Sequence, residues 1–242
     1  IKIKKMNLKK INPNLQQALI ENGLTEAPNV IKEAFGTIKS GNDVVLVIED
    51  KKEQKEAIAI SVIQRLEKAY MLSPRALVIV EDKPEALLMD AVFKQLTKYT
   101  DLRIFMTHDK TDLDEDKNQI SVGIDVLIGT PERLTFMFGN AGFDVNQLKM
   151  FVINNTDDLL KKRLDGRLYR LSESIGKTQR LYVSELETER LEIFADKTML
   201  DSYWFSNDEM EEYDEDYDED SIDIEDLSVN EDSINNEDSL ND

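Results

Sequence analysis

Apolar and polar positions follow two rhythms along this chain. Short, nearly continuous apolar runs occur at Val44–Ile48, Ala76–Val80, Leu102–Met106, Val126–Ile128, Met150–Ile153 and Leu181–Val183. Runs this uniform fit strands buried on both faces, as in parallel sheets. Between them lie amphipathic stretches. One carries Ile58, Val62, Leu66 and Ala69; another begins near Pro84 and carries Leu88, Val92, Leu96 and Tyr99, each with charge on the opposite face. Two more helices are expected at Pro13–Asn22 and Asn29–Lys39, ahead of the first strand. Alternating strands and helices with right-handed crossovers predict an α/β sandwich around a mainly parallel sheet. Ligands in such folds sit beyond the C-terminal ends of the strands. That points to Glu49–Lys55, Glu81–Glu85, Thr107–Lys110, Gly129–Arg133, Asn154–Asp158 and Ser184–Glu187.

Charge divides the chain. Leu200–Asp242 holds 19 acidic residues and no Lys or Arg, which leaves 31 acidic and 30 basic residues in positions 1–199. Residues 1–199 are therefore expected to fold, and 200–242 to form a disordered acidic tail with too little apolar surface to offset its ordering entropy. Within that stretch Tyr203-Trp204-Phe205 is expected to pack back onto the domain as its last anchor. The tail also repeats an acidic-Ser-aliphatic unit, at Glu219–Ile222, Glu231–Ile234 and Glu237–Leu240, which reads first as a solubilising low-complexity tail and otherwise suits docking on a basic, hydrophobic surface or electrostatic mimicry of nucleic acid. The chain has no cysteine, which excludes disulfides and thiolate metal sites. No apolar run reaches the roughly 18–20 residues needed to span a bilayer, and no secretory signal pattern follows the basic start. A cytoplasmic protein without a membrane partner is expected.

Ile124–Leu134, reading Ile-Asp-Val-Leu-Ile-Gly-Thr-Pro-Glu-Arg-Leu, resembles the strand and Thr-Pro-Gly-Arg motif of DEAD-box RNA helicases. Other segments fall in the same register. Ser40–Val45 resembles the lead-in to that family's P-loop, and Pro74–Val80 the strand before its Pro-Thr-Arg-Glu-Leu-Ala motif. Phe151–Leu160 falls on the Asp-Glu-Ala-Asp box, and Gln179–Leu186 on the strand ending in Ser-Ala-Thr. The likeness runs from about Asn14 to Ala195 in the family's order. It implies a RecA-like, P-loop NTPase-type three-layer sandwich, the first of the two such domains a helicase uses. The acidic tail begins where the second would start, so a lone first domain is expected.

On that register the P-loop position reads Glu49-Asp50-Lys51-Lys52-Glu53-Gln54-Lys55. A phosphate cradle needs glycines so that backbone N–H groups can wrap the anion, a lysine for the β/γ-phosphates and a hydroxyl for magnesium. Here Lys51 and Glu53 stand for glycines, Gln54 for the lysine and Lys55 for the threonine. The magnesium-binding Asp and general-base Glu of the acidic box become Asn154 and Asn155, amides that carry no charge and take up no proton. The adenine-reading glutamine becomes Ile31. Gln54, Lys55, Asn154 and Asn155 are thus degraded positions; no catalytic residue, metal site or cofactor is assigned. Asp157 and Ser184 match positions that hydrogen-bond across strand ends in the family, and are expected to form a structural latch.

Thr130 and Arg133 match positions that hold the RNA backbone in the family, and Lys83 keeps a cation in the segment before Pro84. Glu132, Glu81, Asp82 and Glu85 oppose phosphate there. Thr130 also reads as a plain helix cap. His108 is the single histidine, so no His-based metal site or catalytic triad can form within one chain. Asp109, Asp112, Asp114, Glu115 and Asp116 read as a solvated loop rather than a cation site. Three functions follow. The first is a non-catalytic helicase-like interaction or regulatory module linked to RNA metabolism, with a protein partner and no ATP hydrolysis. The others are a passive RNA-binding protein and a residual ATP-binding helicase.

Overall fold

A computed structural model describes residues 11–24 and 29–206. Two helices, α1 (Pro13–Glu21) and α2 (Asn29–Lys39), precede β1 (Val44–Val47). There follow α3 (Lys51–Leu66), β2 (Ala76–Ile79), α4 (Lys83–Leu96), β3 (Ile104–Thr107), α5 (Leu113–Val122), β4 (Val126–Gly129) and α6 (Pro131–Gly139). The order continues β5 (Met150–Ile153), α7 (Thr156–Lys161), α8 (Asp165–Glu173), β6 (Gln179–Ser184), α9 (Glu189–Thr198) and β7 (Tyr203–Ser206). The seven strands form one parallel sheet in the order β3-β4-β2-β5-β6-β1-β7. β1, β2, β4 and β5 are buried along their whole length, as their apolar runs require.

Alternate strand residues feed two cores. Val44, Leu46, Val78 and Val152 face α1 to α4, while Val45, Leu77, Phe151 and Tyr182 face α5 to α9. The result is the RecA-like three-layer arrangement. α3 is covered nearly all round: its buried positions include Gln54, Lys55, Glu56 and Gln64 as well as its apolar residues. α4 differs from the expected stripe. It buries Ala86, Met89, Phe93 and Leu96, whereas Leu88 is half exposed, so the face packed on the core is offset from the expected spacing. β3 begins at Ile104, two residues later than its apolar run. Arg103 before it is held instead by the Asp125 carboxylate, through its backbone N–H at 3.1 Å and its Nε at 2.8 Å.

The expected acidic loop is part turn and part helix: Asp109 stays in a turn, while Asp114, Glu115 and Asp116 lie in α5. Asp112 caps α5 by accepting from the Glu115 N–H at 2.9 Å, and Asp116 turns inward. The expected boundary at residue 199 falls before β7. Tyr203–Ser206 pairs in parallel with β1, Trp204 packing against one core and Phe205 against the other. The acidic repeats lie outside the described residues. Among the described residues no helix is long and apolar enough to cross a membrane.

Candidate functional site

The residues singled out in sequence gather at the C-terminal edge of the sheet, where β1, β2, β4, β5 and β6 deliver them. After β1, Asp50 caps α3: one carboxylate oxygen accepts from the Lys52 N–H at 2.7 Å and the Glu53 N–H at 2.9 Å. Those two hydrogen bonds, Glu53 first, hold Asp50 below the usual carboxylate range. The donors of a helix N-terminus, the usual cradle for an anion, are thus taken up by the chain's own carboxylate. Burial, then the charges of Asp50 and Glu56, push the Glu53 carboxyl up.

Gln54, Lys55 and Lys51 of this segment turn to partners within the chain. Gln54 is fully buried and donates to the Ile48 carbonyl at 2.6 Å. Lys55 donates to the Lys51 carbonyl at 3.0 Å and pairs with Glu85 of α4 at 3.0 Å. Lys51 reaches Asp158 of α7 at 3.4 Å and Glu185 beyond β6 at 3.6 Å. Burial opposes its charge, but the hydrogen bond to Asp158 and the charges of Asp158 and Glu185 prevail and raise its pKa. Further pairs join Lys162 to Glu81 and Arg167 to Glu132.

At the end of β5, Asn154 is fully buried, and neither amide atom finds a hydrogen-bond partner among the described residues. Asn155 adopts φ 49° and ψ 49° and turns the chain into α7. Asparagine is among the few non-glycine residues that accept this left-handed geometry readily.

The expected latch has a different form. The Asp157 carboxylate accepts from the Glu185 N–H at 3.2 Å and pairs with Lys161 at 3.2 Å, while the Ser184 hydroxyl donates to the Leu186 carbonyl at 2.9 Å. The two strand ends are tied, but through the backbone next to Ser184.

The RNA-type positions differ among themselves. Arg133 is buried, with Nη2 at 2.5 Å and Nε at 3.0 Å from one oxygen of Asp116. Its Nη2 also donates to the Thr111 carbonyl at 2.9 Å, and its Nε to the Thr107 hydroxyl at 3.2 Å. The guanidinium that was expected to meet phosphate is committed to the interior. Thr130 stands at the N-cap of α6 without capping it, buried, and its hydroxyl finds no hydrogen-bond partner among the described residues. Lys83 is exposed at the start of α4. Burial, followed by the nearby charge of Lys83, lowers the pKa of His108. Among the described residues no group of three or more His, Cys, Asp or Glu could hold a metal ion.

Asp116 was missed because it and its four neighbouring carboxylates read as solvated surface. The signal that could have found it was helical spacing from Asp112, which places Asp116 one turn inside α5 beside Ile120.

The profile of the DEAD/DEAH box helicases matches residues 32–185. The chain is 22% identical over 162 residues to an ATP-dependent RNA helicase eIF4A of Eremothecium gossypii, covering 67% of this chain and 41% of that protein. It is 26% identical over 151 residues to eukaryotic initiation factor 4A of Caenorhabditis elegans, covering 62% and 37%. To the ATP-dependent RNA helicase cgh-1 of Caenorhabditis elegans it is 26% identical over 169 residues, 69% and 39%. The chain spans about two-fifths of the length of these relatives. With the profile matching well over half of its residues, across the same strand ends that carry Asp50, Arg133, Asn154 and Asp157, the chain belongs to the DEAD/DEAH box helicase family.

Proposed function

We propose that this chain is a non-catalytic member of its family, an interaction or regulatory module that works in RNA metabolism and hydrolyses no ATP. The observation that carries the reading is the closed α3 N-terminus. The Asp50 carboxylate holds the N–H groups of Lys52 and Glu53, and Lys51 is tied across to Asp158 and Glu185. A magnesium triphosphate does not fit these residues. It would meet Asp50 and Glu53 at its phosphates, would have to break two sets of ion pairs, and would find only amides where its metal needs carboxylates. Proton abstraction from an attacking water lacks a base as well, since Asn155 cannot take up a proton.

The surface left by this closure is charged but internally paired, which suits a partner protein better than a polyphosphate. Relatives named as ATP-dependent RNA helicases supply the RNA-related setting only. The lack of cysteine suits the cytoplasm. Passive RNA binding is the second reading, supported by the exposed Lys83 and opposed by the buried Arg133–Asp116 pair.

Isothermal titration of the full chain with magnesium ATP tests the main reading. No heat of binding is expected up to about 1 mM nucleotide, which limits the affinity to about 4 kcal/mol. Saturable binding at micromolar ATP would sink the proposal and revive a residual helicase.

A further inference from the structure

The opposite end of the sheet carries a feature that the helicase comparison leaves unassigned. At the N-terminal ends of β1, β5 and β6 lies an open groove of about 730 Å³. Five cations line it: Arg65 from α3, Lys149 before β5, Lys177 before β6, Arg180 within β6 and Lys197 from α9. Among the described residues none of the five makes an ion pair, in contrast to the internally paired charges at the C-terminal edge. The groove's single carboxylate, Asp43, is buried and already satisfied, accepting from the backbone N–H of Arg180 at 2.7 Å and of Leu200 at 3.0 Å. Arg180 is held in place by Ser172 and Thr178, with Nε donating to the Ser172 hydroxyl at 2.9 Å. Beside the cations lie Met199, half-buried, and Leu200, 82% exposed, over the buried Leu148, and no aromatic ring lines the groove.

This combination selects its ligand class. Nucleic-acid strands favour aromatic platforms on which bases stack; here cations alternate with aliphatic side chains. An extended peptide of carboxylates and aliphatic residues matches both. Such a peptide follows Ser206 in this same chain. Residues 207–242 hold 18 acidic residues and no Lys or Arg, with Glu-Asp-Ser-Ile twice and Glu-Asp-Ser-Leu once. β7 ends beside β1 at the C-terminal edge, and returning past its four residues needs only about 13 Å. The first repeat starts 13 residues beyond Ser206, an extended reach of about 43 Å.

We infer that the acidic C-terminal segment docks in this groove of its own domain, its carboxylates on Lys149, Lys177 and Lys197 and its Ile or Leu side chains on Met199 and Leu200. Individual exposed ion pairs are weak. Tethering raises the local concentration of the segment to about the millimolar range, which makes a weak contact sufficient. The inference does not rest on the loss of ATP hydrolysis.

The absence of cysteine makes the test direct, because a single thiol can be introduced. The full chain, 15N-labelled and carrying Ser239→Cys with a nitroxide, is compared with its reduced form by NMR. The amide signals of Lys149, Lys177, Thr178 and Leu200 are expected to be lost at about 0.1 M salt and recovered near 1 M. Lys177→Gln with Lys197→Gln should restore them at low salt with an unchanged circular dichroism spectrum. If that variant fails to fold, the salt response of the parent chain still decides. Uniform or distant broadening overturns the inference. So does broadening that persists when label and isotope sit on different molecules, which would indicate a second copy. Displacement of the groove signals by single-stranded oligouridine, with no effect of the nitroxide, would assign the groove to nucleic acid instead.

Discussion

Removing the Arg133 guanidinium leaves the Asp116 carboxylate buried, with hydroxyl partners at Thr107 and Thr111 but no counter-charge. Breaking a buried pair from one side costs about 3–5 kcal/mol. Arg133→Ala is therefore expected to lower the urea midpoint sharply, and Arg133→Ala with Asp116→Ala to recover part of that loss. A stable Arg133→Ala protein with weakened RNA affinity would return Arg133 to an RNA face. Asp125 is a second buried centre, 2.7 Å from Arg75 and 2.8 Å from Arg103. Burial opposes its charge, but the hydrogen bonds from Arg103 and Arg75, and from the N–H groups of Tyr70 and Arg103, hold its pKa below the ordinary value. A depressed folded-state pKa contributes stability above the unfolded value of about 3.9, and that contribution is lost as pH falls through the folded pKa. Asp125→Asn should lower stability at pH 7 and flatten its fall below about pH 4; an acid slope identical to the parent's would refute this. The side-chain partners behind both predictions were not legible in sequence. Motif register puts Arg133 in the first turn of the helix after β4 and Asp157 in that after β5, yet it says nothing of rotamers. A local carboxylate claimed Arg133, and a backbone N–H, not Ser184, claimed Asp157.

β7 is where elements and charge pattern part company. Its Tyr-Trp-Phe core fits a strand, but acidic residues surround it and no long apolar run marks it, so the charge boundary alone ends the fold at residue 199. The interior strands were legible because burial on both faces leaves no room for polar positions. An edge strand buries less and so writes a fainter pattern. Helices α5 to α9 were fainter still, being short and one-sided. Trp204 is the single tryptophan and sits half-buried in β7. Its fluorescence should therefore change with the same urea midpoint as the far-UV circular dichroism of the whole domain. An earlier fluorescence transition would show β7 detaching on its own. Phe205→Asp replaces a half-buried ring packed against the core of α1 to α4 with a charge, and should destabilise by roughly 1–3 kcal/mol.

At the scale of the molecule, the two ends of the sheet carry opposite electrostatic arrangements. The C-terminal edge, where the family's ligand positions lie, is laced by Lys51–Asp158, Lys55–Glu85, Lys162–Glu81 and Arg167–Glu132. It presents little net field to a polyanion. The N-terminal end pairs Asp125 with Arg75 and Arg103 below β2, β3 and β4, but below β1, β5 and β6 it gathers five cations without an ion-pair partner among the described residues. Residues 1–206 carry 32 acidic and 30 basic residues, so overall charge does not attract RNA, and residues 207–242 add 18 negative charges. Single-stranded RNA should then bind the full chain more weakly than about 100 µM at physiological salt, the weak limit of ordinary non-specific binding. A protease site placed after Ser206 allows the acidic segment to be cut from the folded chain. Any affinity that the cut form gains is expected to come from the N-terminal groove. Lys177→Gln and Lys197→Gln should each reduce its salt dependence by about one unit of slope, whereas Arg133→Ala, compared at a denaturant-free temperature where it stays folded, should leave that slope alone. The reverse result, sensitivity to Lys83 and Arg133 but not to Lys177 and Lys197, would place RNA on the helicase-type edge and favour passive RNA binding over the interaction module. Titration by fluorescence anisotropy of a labelled oligouridine at two salt concentrations distinguishes the two ends of the same sheet.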